Sequence, residues 1–464
     1  MLVATPFSTE EVVKAVSGML VNGDMGIPFK GICTDTRVME PGFLFWALKG
    51  RNFDGHLFWK EAIDKGARGV VLEYFPRDLE LEELPKTLSF ILVKDTLRAL
   101  GDLAQYFRVR EGFRVIAITG SCGKTTTKEL TFALLSRFFK CAKNEANYNN
   151  LIGVPLSLLS FKDRPEWAIL ELGTNQRGEI ARLAEIIQPQ VSLITCIYPA
   201  HLEGLGSLEG ILEEKIALFE RTDAHGTLIY FYDQPLLRER TKAFPQAKIS
   251  YGEGEGADLR LLNFRGRGLS LEAQIAYGGK EYTFSAPLAG KHNLLNLLGA
   301  LAVGLATGLT LESLLEAIEE MESLFLRSHF IRKGPYLLID DTYNANPGSM
   351  EMALTLLSDQ EKALGKRIAI LGDMKELGEE SERYHEEVGE IAGEKADMAI
   401  FIGEMAPYYA RGFQKSGKPC QIYHTVEEFL ERGNLPKEKA VILVKGSRAL
   451  RMERIVEKLV KEEN

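Results

Sequence analysis

Residues 114–127 read Arg114-Val-Ile-Ala-Ile-Thr-Gly-Ser-Cys-Gly-Lys-Thr-Thr-Thr127. An apolar strand runs into a Gly-rich turn, and a helix opens at the Lys and Thr residues that follow. Backbone N–H groups of such a turn point at an anion, and the helix N-terminus adds its positive dipole end. This pattern predicts a loop that holds nucleotide phosphates, with Lys124 reaching the β and γ phosphates and the Thr125 hydroxyl on Mg²⁺.

The loop has the short form G-x-x-G-K-T-T, with glycines at 120 and 123. A purely structural turn could give the same letters, but the strand before it and the helix after it favour a phosphate loop. Cys122 is either a small spacer in this loop or a redox-sensitive thiol, and the spacer is favoured because the sequence shows no resolving partner. The predicted phosphate-binding residues are Gly120, Ser121, Cys122, Gly123, Lys124, Thr125 and Thr126.

Composition places the chain among ordinary globular proteins. Its 464 residues are 45% hydrophobic and 26% charged, enough for about three domains. The net charge of −9 comes without a long basic run, which argues against nucleic acid as a partner. An anionic small-molecule substrate stays possible, because it needs only local cations and N–H groups.

The cysteines and the apolar runs bear on location. Five scattered cysteines without a C-x-x-C pair are typical of a reducing compartment. The N-terminal residues lack the basic and apolar regions of a signal peptide, and no apolar run reaches about 18 residues. We therefore expect a cytoplasmic protein without a membrane span. A monomer is our expectation for the oligomeric state, which the sequence leaves open.

The order of strands and helices predicts an α/β protein of three domains. Residues 1–109 form a small mixed α/β domain, and residues 108–112 are predicted to be a linker. Residues 110–323 form a central, doubly wound P-loop domain of the ATPase type, with an antiparallel insert within 247–288 that turns at Gly278-Gly279. Residues 324–464 form a C-terminal Rossmann-like domain, which lacks the G-x-G-x-x-G signature of dinucleotide binding.

Two further polar groups of the central domain follow predicted strands. Glu171 ends the strand that begins at Trp167, and His201 lies just beyond the strand that begins at Val191. Ligands of open α/β sheets bind at the carboxyl ends of strands, so both residues are candidate Mg²⁺ partners near the phosphate loop. Taken singly, the Glu could be a salt-bridge group and the His a structural residue.

Lys215 lies in the apolar stripe of a predicted helix, together with Leu208, Ile211, Leu212 and Phe219. Its stem could pack while the ammonium reaches water. Alternatively, the amine is buried and its pKa is lowered. A neutral amine can add CO₂ to form a carbamate, an anion suited to Mg²⁺.

Other polar motifs open later helices or follow later strands. Asn293 and Asn296 share one helical face and could present amides to a purine, although Asn293 could also be an N-cap. Asp341 follows a strand of the last domain within Asp340-Asp341-Thr-Tyr-Asn-Ala-Asn-Pro347, where it could contact ribose or a polar substrate, or belong to a turn. Further polar loops at 372–378 and 445–448 follow neighbouring strands, which predicts a site on one edge of this sheet.

Over nearly its whole length the sequence resembles the Mur ligase family, which builds the peptide of bacterial peptidoglycan. The most specific motifs are Tyr343-Asn-Ala-Asn-Pro347 and Gly372-Asp-Met-Lys-Glu-Leu-Gly378. The other matching segments are residues 34–37, 41–45, 54–56, 120–126, 147–155, 171–173, 178–179, 201–204, 290–296 and 445–448.

The resemblance implies roles for individual residues. Lys124 and its loop would hold ATP, Lys215 would be the carbamylated lysine, and Thr125, Glu171 and His201 would serve Mg²⁺. Asn293 and Asn296 would face adenine. The residues implied to close over ATP are Arg327 and Asp341, and those implied to hold the UDP group are Thr36, Arg51, Asn52 and Phe53.

The implied reaction is ATP-dependent ligation of D-Ala-D-Ala to UDP-N-acetylmuramoyl-tripeptide through an acyl phosphate, a step that supports the cell wall and cell division. The partners are therefore small molecules. Two alternatives stay open: another amide ligase of this architecture, adding the third residue or resembling folylpolyglutamate synthase, and a non-catalytic ATP-binding switch or scaffold.

Overall fold

A computed structural model describes residues 1–50, 53–76, 84–145, 147–267, 270–321, 329–360 and 362–461. Internal contacts divide the chain into two compact units. The first comprises residues 1–115, 139–172 and 181–189, and the second comprises 116–138, 173–180 and 190–464. The domain boundary predicted at 109–110 stays a prediction, and the one at 323–324 lies outside the described residues.

The strands, in chain order, are β1 (Leu2–Val3), β2 (Phe7–Ser8), β3 (Met19–Asn22), β4 (Pro28–Phe29), β5 (Ile32–Cys33), β6 (Leu44–Trp46), β7 (Gly69–Leu72), β8 (Ser89–Leu92), β9 (Arg114–Thr119), β10 (Cys141–Lys143), β11 (Trp167–Glu171), β12 (Val191–Ile194), β13 (Thr227–Phe231), β14 (Ala247–Gly252), β15 (Leu259–Arg267), β16 (Ser270–Tyr277), β17 (Lys280–Ala286), β18 (His329–Lys333), β19 (Tyr336–Asp341), β20 (Lys366–Gly372), β21 (Met398–Ile402), β22 (Cys420–Tyr423) and β23 (Ala440–Lys445).

The helices, in chain order, are α1 (Thr9–Val16), α2 (Trp59–Asp64), α3 (Thr96–Glu111), α4 (Lys124–Leu135), α5 (Gly153–Ser160), α6 (Glu179–Ile187), α7 (Leu202–Leu205), α8 (Leu208–Glu220), α9 (Pro235–Thr241), α10 (Lys291–Ala306), α11 (Leu311–Glu319), α12 (Pro347–Ser358), α13 (Ser381–Lys395), α14 (Ala406–Gln414), α15 (Val426–Arg432) and α16 (Glu453–Lys461). Among the described residues, none of these helices is long and apolar enough to cross a bilayer.

The first unit contains a mixed sheet with strand order β1-β5-β6-β7-β8-β3. The four inner strands are parallel, and the edge strands β1 and β3 run antiparallel to their neighbours. Phe45, Trp59, Val70 and Phe90 form part of the core on this sheet. The mixed α/β character predicted for the N-terminal residues is therefore confirmed.

The linker predicted at 108–112 is wrong over its first four residues. Helix α3 continues through them to Glu111 and ends at Gly112, whose φ of 74° lies in the left-handed region. The Gly112 N–H donates to Arg108 O at 2.9 Å, which closes the last turn. Residues 108–111 therefore form the last turn of a helix rather than a connection, and Arg108 is buried there.

The second unit carries the parallel ladder β9-β12-β13-β14, continued by β15 in the same direction. Strands β15, β16 and β17 then pair antiparallel, and Gly278 and Gly279 turn the last hairpin with φ of 57° and 77°. The antiparallel segment is thus confirmed for 259–286. Residues 247–252 differ from the prediction, because β14 pairs parallel with β13.

The same unit contains a last sheet with strand order β18-β19-β23-β20-β21-β22. All pairs are parallel except the edge pair β18–β19, and apolar clusters cover both faces. This is the Rossmann-like architecture expected for the C-terminal residues. Strands β19, β20 and β23 end in register, with Asp341 opposite Lys445, so the polar loops that follow them share one edge.

Candidate active site

The phosphate loop joins β9 to α4 and depends on its two glycines. Gly120 has φ of 148° and Gly123 has φ of 78°, values that L side chains rarely adopt. A Cβ on Gly120 would clash with Thr195 Oγ1, and one on Gly123 would clash with Asn296 Oδ1. The backbone therefore approaches two neighbouring segments at distances that only glycine permits.

Lys124 is the first residue of α4 and folds back over the loop. Its Nζ donates to Gly120 O at 2.8 Å and to Ser121 O at 3.4 Å. The Ser121 hydroxyl donates to Tyr198 O at 2.8 Å and accepts from Tyr198 N at 2.9 Å, which fixes the loop against the segment after β12. A cation held over a rigid turn at a helix N-terminus suits a phosphate group.

A small cavity adjoins this loop. Its lining includes Cys122, Cys196, Tyr198, His292, Asn296 and Met352. Burial lowers the pKa of His292 to about 4, so its imidazole is neutral near pH 7. A neutral, partly aromatic cavity beside a phosphate loop has the character of a site for a nucleotide base.

The two asparagines of α10 have different surroundings. Asn296 lines the cavity, and its Oδ1 accepts from the Thr127 hydroxyl at 3.4 Å. Asn293 is buried, and its Nδ2 donates to Ala289 O at 2.8 Å. The N-cap of α10 is Gly290, so the interpretation of Asn293 as an N-cap is wrong. Sequence reasoning missed His292, whose only signal was its place at the start of this helix.

Lys215 lies on α8 and is 2% exposed. The alternative in which its ammonium reaches water is therefore wrong. Burial, with a smaller contribution from the charge of Lys124, lowers the pKa of Lys215 to about 7. The neutral amine is therefore far more accessible at this position near neutral pH than in an exposed lysine.

Glu214, the neighbour of Lys215, is a buried carboxylate that the sequence analysis did not single out. Its oxygens accept from Gly178 N at 2.6 Å and Ile180 N at 2.8 Å, and from the Thr174 hydroxyl at 3.2 Å. The carboxylate binds N–H groups at the start of α6, where it also meets the positive dipole end. This contact holds α8, and with it Lys215, in a fixed place.

In the first unit, Glu171 ends β11 and is 1% exposed. Its Oε1 accepts from Asn149 Nδ2 at 3.0 Å, and its backbone exchanges two hydrogen bonds with the Asn144 side chain. The asparagine-rich turn before α5 therefore positions this carboxylate. Sequence reasoning missed both asparagines, although they lie within or beside the segment 147–155 that it singled out.

His201 has a left-handed backbone, with φ of 55°. Its Nδ1 donates to Glu376 Oε2 at 2.5 Å, and this hydrogen bond lowers the pKa of the Glu376 carboxyl. A carboxylate on Nδ1 orients the imidazole and leaves the Nε2 lone pair for a ligand, the usual arrangement behind a metal-binding His. Sequence reasoning missed Glu376 as a partner of His201, although it lies in the motif 372–378.

Asp341 is bound by a buried lysine from the neighbouring strand. Lys445 Nζ donates to Asp341 Oδ2 at 2.6 Å and to Asn344 O at 2.9 Å. A second cavity lies at this edge of the sheet, and its lining includes His201, Asn346, Lys375, Glu376 and Arg448. The polar loops predicted to share one edge thus meet at a single concave surface.

The residues implied to hold the UDP group are described in part. Thr36 is buried at the start of a 3₁₀ turn, and its backbone oxygen accepts from Lys65 Nζ at 2.9 Å. Phe53 is exposed and stacks on Phe58 with ring centroids 5.0 Å apart. Arg51, Asn52 and Arg327 lie outside the described residues.

The donors implied for Mg²⁺ suit that ion. Mg²⁺ prefers oxygen and is commonly held by one or two protein groups together with phosphates and waters. Thr125 offers a hydroxyl at the start of α4, and Glu171 offers a buried carboxylate. Among the described residues, no group of three or more His, Cys, Asp and Glu side chains is arranged to hold a metal.

A phosphate loop, a cavity beside it, a buried amine of low pKa and a polar edge on a second parallel sheet define an α/β nucleotide-binding protein. Comparison with family models is more specific: residues 28–108 match "Mur ligase family, catalytic domain", 118–304 match "Mur ligase middle domain", and 326–448 match "Mur ligase, glutamate ligase domain". The chain belongs to the Mur ligase family.

Individual relatives match along the full length. The UDP-N-acetylmuramoyl-tripeptide–D-alanyl-D-alanine ligase of Bacillus subtilis (strain 168) is 35% identical over 460 residues, 98% of each chain. The crystal structure of MurF from Acinetobacter baumannii has a TM-score of 0.89 at 32% identity, covering 99% of this chain and 100% of that one. MurF ligase from Thermotoga maritima, solved in complex with ADP, has a TM-score of 0.81 at 28% identity, covering 93% and 97%.

Proposed function

We propose that this protein is an ATP-dependent ligase that joins D-Ala-D-Ala to UDP-N-acetylmuramoyl-tripeptide and gives the UDP-linked pentapeptide of peptidoglycan synthesis. The observation that carries the proposal is the match to a ligase of that name over 98% of both chains. The phosphate loop, the buried Lys215 and the polar edge of the last sheet supply the chemistry that such a ligation needs.

ATP is a substrate of this reaction, and the loop residues 120–126 are proposed to bind its phosphates. Lys124 would exchange its loop carbonyls for phosphate oxygens, a change that keeps its hydrogen bonds and adds charge attraction. The neighbouring cavity would take the adenine, with Asn296 as a donor or acceptor. Asn293 is proposed to support the adenine site indirectly, because its amide donates to Ala289 O and so stabilises the start of α10.

In the proposed chemistry, a carboxylate oxygen of the tripeptide attacks the γ-phosphorus of ATP and ADP leaves. The acyl phosphate then reacts with the amine of D-Ala-D-Ala, and phosphate leaves as the amide forms. Lys124 and the loop N–H groups stabilise the transferring phosphoryl group. The cavity lined by Arg448 and Lys375 suits the carboxylate end of the dipeptide, since both side chains are cationic.

Mg²⁺ is proposed to bind through Thr125, Glu171 and His201, and when bound it neutralises charge on the phosphates. The contact from Asn149 holds the Glu171 carboxylate, and Glu376 holds the His201 ring. Lys215 is proposed to be carbamylated, because a buried amine of pKa about 7 has the neutral form that adds CO₂. The carbamate would give this side chain a negative charge that suits a cation.

Asp341 and Arg327 are proposed to contact ATP from the C-terminal domain, and Thr36, Arg51, Asn52 and Phe53 to hold the UDP group. Lys445 fixes the Asp341 carboxylate for such a contact. We propose that the protein works as a monomer in the cytoplasm. Its five cysteines, all of them free, fit that reducing compartment.

The experiment is a competition among acceptors. In the first reaction, the protein, ATP and Mg²⁺ are incubated with UDP-N-acetylmuramoyl-tripeptide and D-Ala-D-Ala. The second reaction contains UDP-N-acetylmuramoyl-dipeptide with lysine or diaminopimelate instead, and the third contains a folate with glutamate. Mass spectrometry is expected to find a pentapeptide product and equal ADP in the first reaction only. A product in another reaction would assign a sister ligase, and ATP binding without any product would assign a switch.

The matched variants are Lys124→Ala and Lys242→Ala. Lys124 contacts the phosphate loop, whereas Lys242 is 64% exposed beside Glu239. We expect Lys124→Ala to lower kcat at least 100-fold, the scale for losing a charged contact to a transferring group, and Lys242→Ala to keep the activity within twofold. Full activity of Lys124→Ala would contradict the role of the loop.

A further inference from the structure

Two cysteines that lie 74 residues apart in the sequence meet at the phosphate loop. Cys122 belongs to the loop, and Cys196 follows β12. Cys196 Sγ accepts from Cys122 N at 3.3 Å and lies 3.4 Å from Cys122 O. The side chain of Cys196 therefore lies directly against the backbone of Cys122.

Both thiols can be reached through the cavity beside the loop. Each residue is largely buried, at 6% and 5% exposure, but both line the cavity beside the loop. The hydrogen bond from Cys122 lowers the pKa of Cys196 to about 7, whereas that contact and burial raise the pKa of Cys122. Cys196 therefore supplies the thiolate, the form that reacts with oxidants.

We propose that Cys122 and Cys196 form a site of reversible oxidation, at which a hydroperoxide converts the two thiols into a disulfide that disables the phosphate loop. The Cys196 thiolate attacks the distal peroxide oxygen, the O–O bond breaks, and the alkoxide or hydroxide leaves with a proton from solvent. The Cys122 sulfur then attacks the sulfenic acid of Cys196. The S–S bond forms, and the hydroxyl leaves as water with the Cys122 proton.

The disulfide would displace a loop that has no spare room. A disulfide fixes its two sulfurs about 2 Å apart with a defined dihedral angle, so the loop that carries Cys122 must adjust from its reduced position. Cys122 O already accepts from the Thr195 hydroxyl at 2.5 Å, and Gly120 packs directly on the same residue. The loop must therefore shift or twist, and its N–H groups then no longer point toward a bound phosphate.

Disulfide formation also removes an existing contact. The Cys122 thiol lies 3.1 Å from Asn346 Oδ1, and that oxygen also caps α12 by accepting from Ser349 N at 2.9 Å. In the disulfide, the Cys122 sulfur has no proton to share with Asn346. The oxidised loop thus loses a partner on the element that follows the Tyr343–Pro347 motif.

The test uses the full-length chain with Cys33, Cys141 and Cys420 replaced by Ser, so that only the pair remains. After treatment with hydrogen peroxide, we expect the intact mass to fall by about 2 Da and peptide mapping to find residues 122 and 196 cross-linked. Binding of a fluorescent ATP analogue should weaken at least tenfold, and dithiothreitol should restore it. Neither the cross-link nor the binding of the nucleotide analogue requires ligase activity. A negative result in this test can therefore be distinguished from a failure of the proposed function. Only the expected effect on ATP binding rests on that proposed function.

The matched control carries Cys196→Ala in the same background, with binding normalised to its own untreated sample. We expect peroxide to weaken its binding less than twofold. Equal loss in this variant would mean that oxidation of Cys122 alone suffices, and would overturn the proposal. A mass gain of oxygen without a cross-link, or a cross-link with unchanged nucleotide binding in the parent, would also overturn it.

Discussion

Replacing Lys215 by Met tests whether this amine is buried with a lowered pKa. The substitution keeps an unbranched side chain of similar length and removes the charge. In the unfolded chain the amine titrates near 10.5, and in the folded protein near 7. Folding therefore opposes protonation of Lys215, and the protonated form destabilises the native state.

The magnitude follows from the two pKa values. Below pH 7 both states hold the proton, and the difference of 3.5 units costs about 5 kcal/mol at 1.36 kcal/mol per unit. As the pH rises above 7, the folded state loses its proton while the unfolded state keeps it, so the cost shrinks and vanishes above 10.5. It is about 5 kcal/mol at pH 6 and about 3 kcal/mol at pH 8.

The assay is urea unfolding of the parent protein and of Lys215→Met at pH 6 and pH 8 in CO₂-free buffer. The free energies of unfolding are compared only if the m-value is the same for both proteins. Lys215→Met is expected to be more stable than the parent, and its advantage should be about 1 to 1.5 kcal/mol larger at pH 6 than at pH 8. Lys242→Met is the control, because that side chain is 64% exposed and should respond equally at both pH values. An advantage independent of pH, or larger at pH 8, would refute the reasoning.

Three other substitutions test neighbouring parts of the account. Gly123→Ala should weaken ATP binding at least tenfold in calorimetry, because the added Cβ would clash with the Asn296 side chain. The control is Gly178→Ala, at a similar φ of 87° with open space around it, which should cost only about 1 kcal/mol of stability. Equal effects of the two substitutions on ATP binding would contradict this prediction. Lys445→Met should destabilise the protein by about 3 to 5 kcal/mol in urea unfolding, because it leaves the Asp341 carboxylate without its cation. Adding Asp341→Asn should recover part of that loss. If the free-energy changes of the two substitutions were strictly additive, the ion pair would not contribute to stability. Glu171→Gln keeps an oxygen acceptor and should fold normally, but it should raise the Mg²⁺ concentration for half-maximal ligation at least tenfold; an unchanged requirement would remove Glu171 from the metal site.

Local sequence features predicted the parts of the fold that depend on nearby residues. The apolar run before Gly120 and the Lys-Thr pair after Gly123 predicted the strand, loop and helix. The stripe on α8 indicated burial of Lys215, and the diglycine at 278–279 predicted its hairpin. Each of these features is set within one or two turns of chain, where period and backbone conformation decide the structure.

Features that depend on partners distant in sequence could not be predicted. Strand β14 has the same local pattern in a parallel or an antiparallel pair, so its direction was wrong. Residues 108–111 were predicted to be a linker because the sequence alone does not show that α3 extends to Glu111. The approach of Cys196 to Cys122 and the ion pair between Lys445 and Asp341 arise only when separate strands align. Sequence analysis could name such residues but could not pair them.

The most direct test of the central claim uses UDP-N-acetylmuramoyl-tripeptide labelled with ¹⁸O in both oxygens of the terminal carboxylate. The protein is incubated with this substrate, ATP, Mg²⁺ and D-Ala-D-Ala, and phosphate and product are weighed by mass spectrometry. An acyl phosphate requires one labelled oxygen in each phosphate released and one retained in the pentapeptide amide. Pentapeptide formed with unlabelled phosphate, or labelled substrate recovered unchanged while ATP is hydrolysed, would contradict the account.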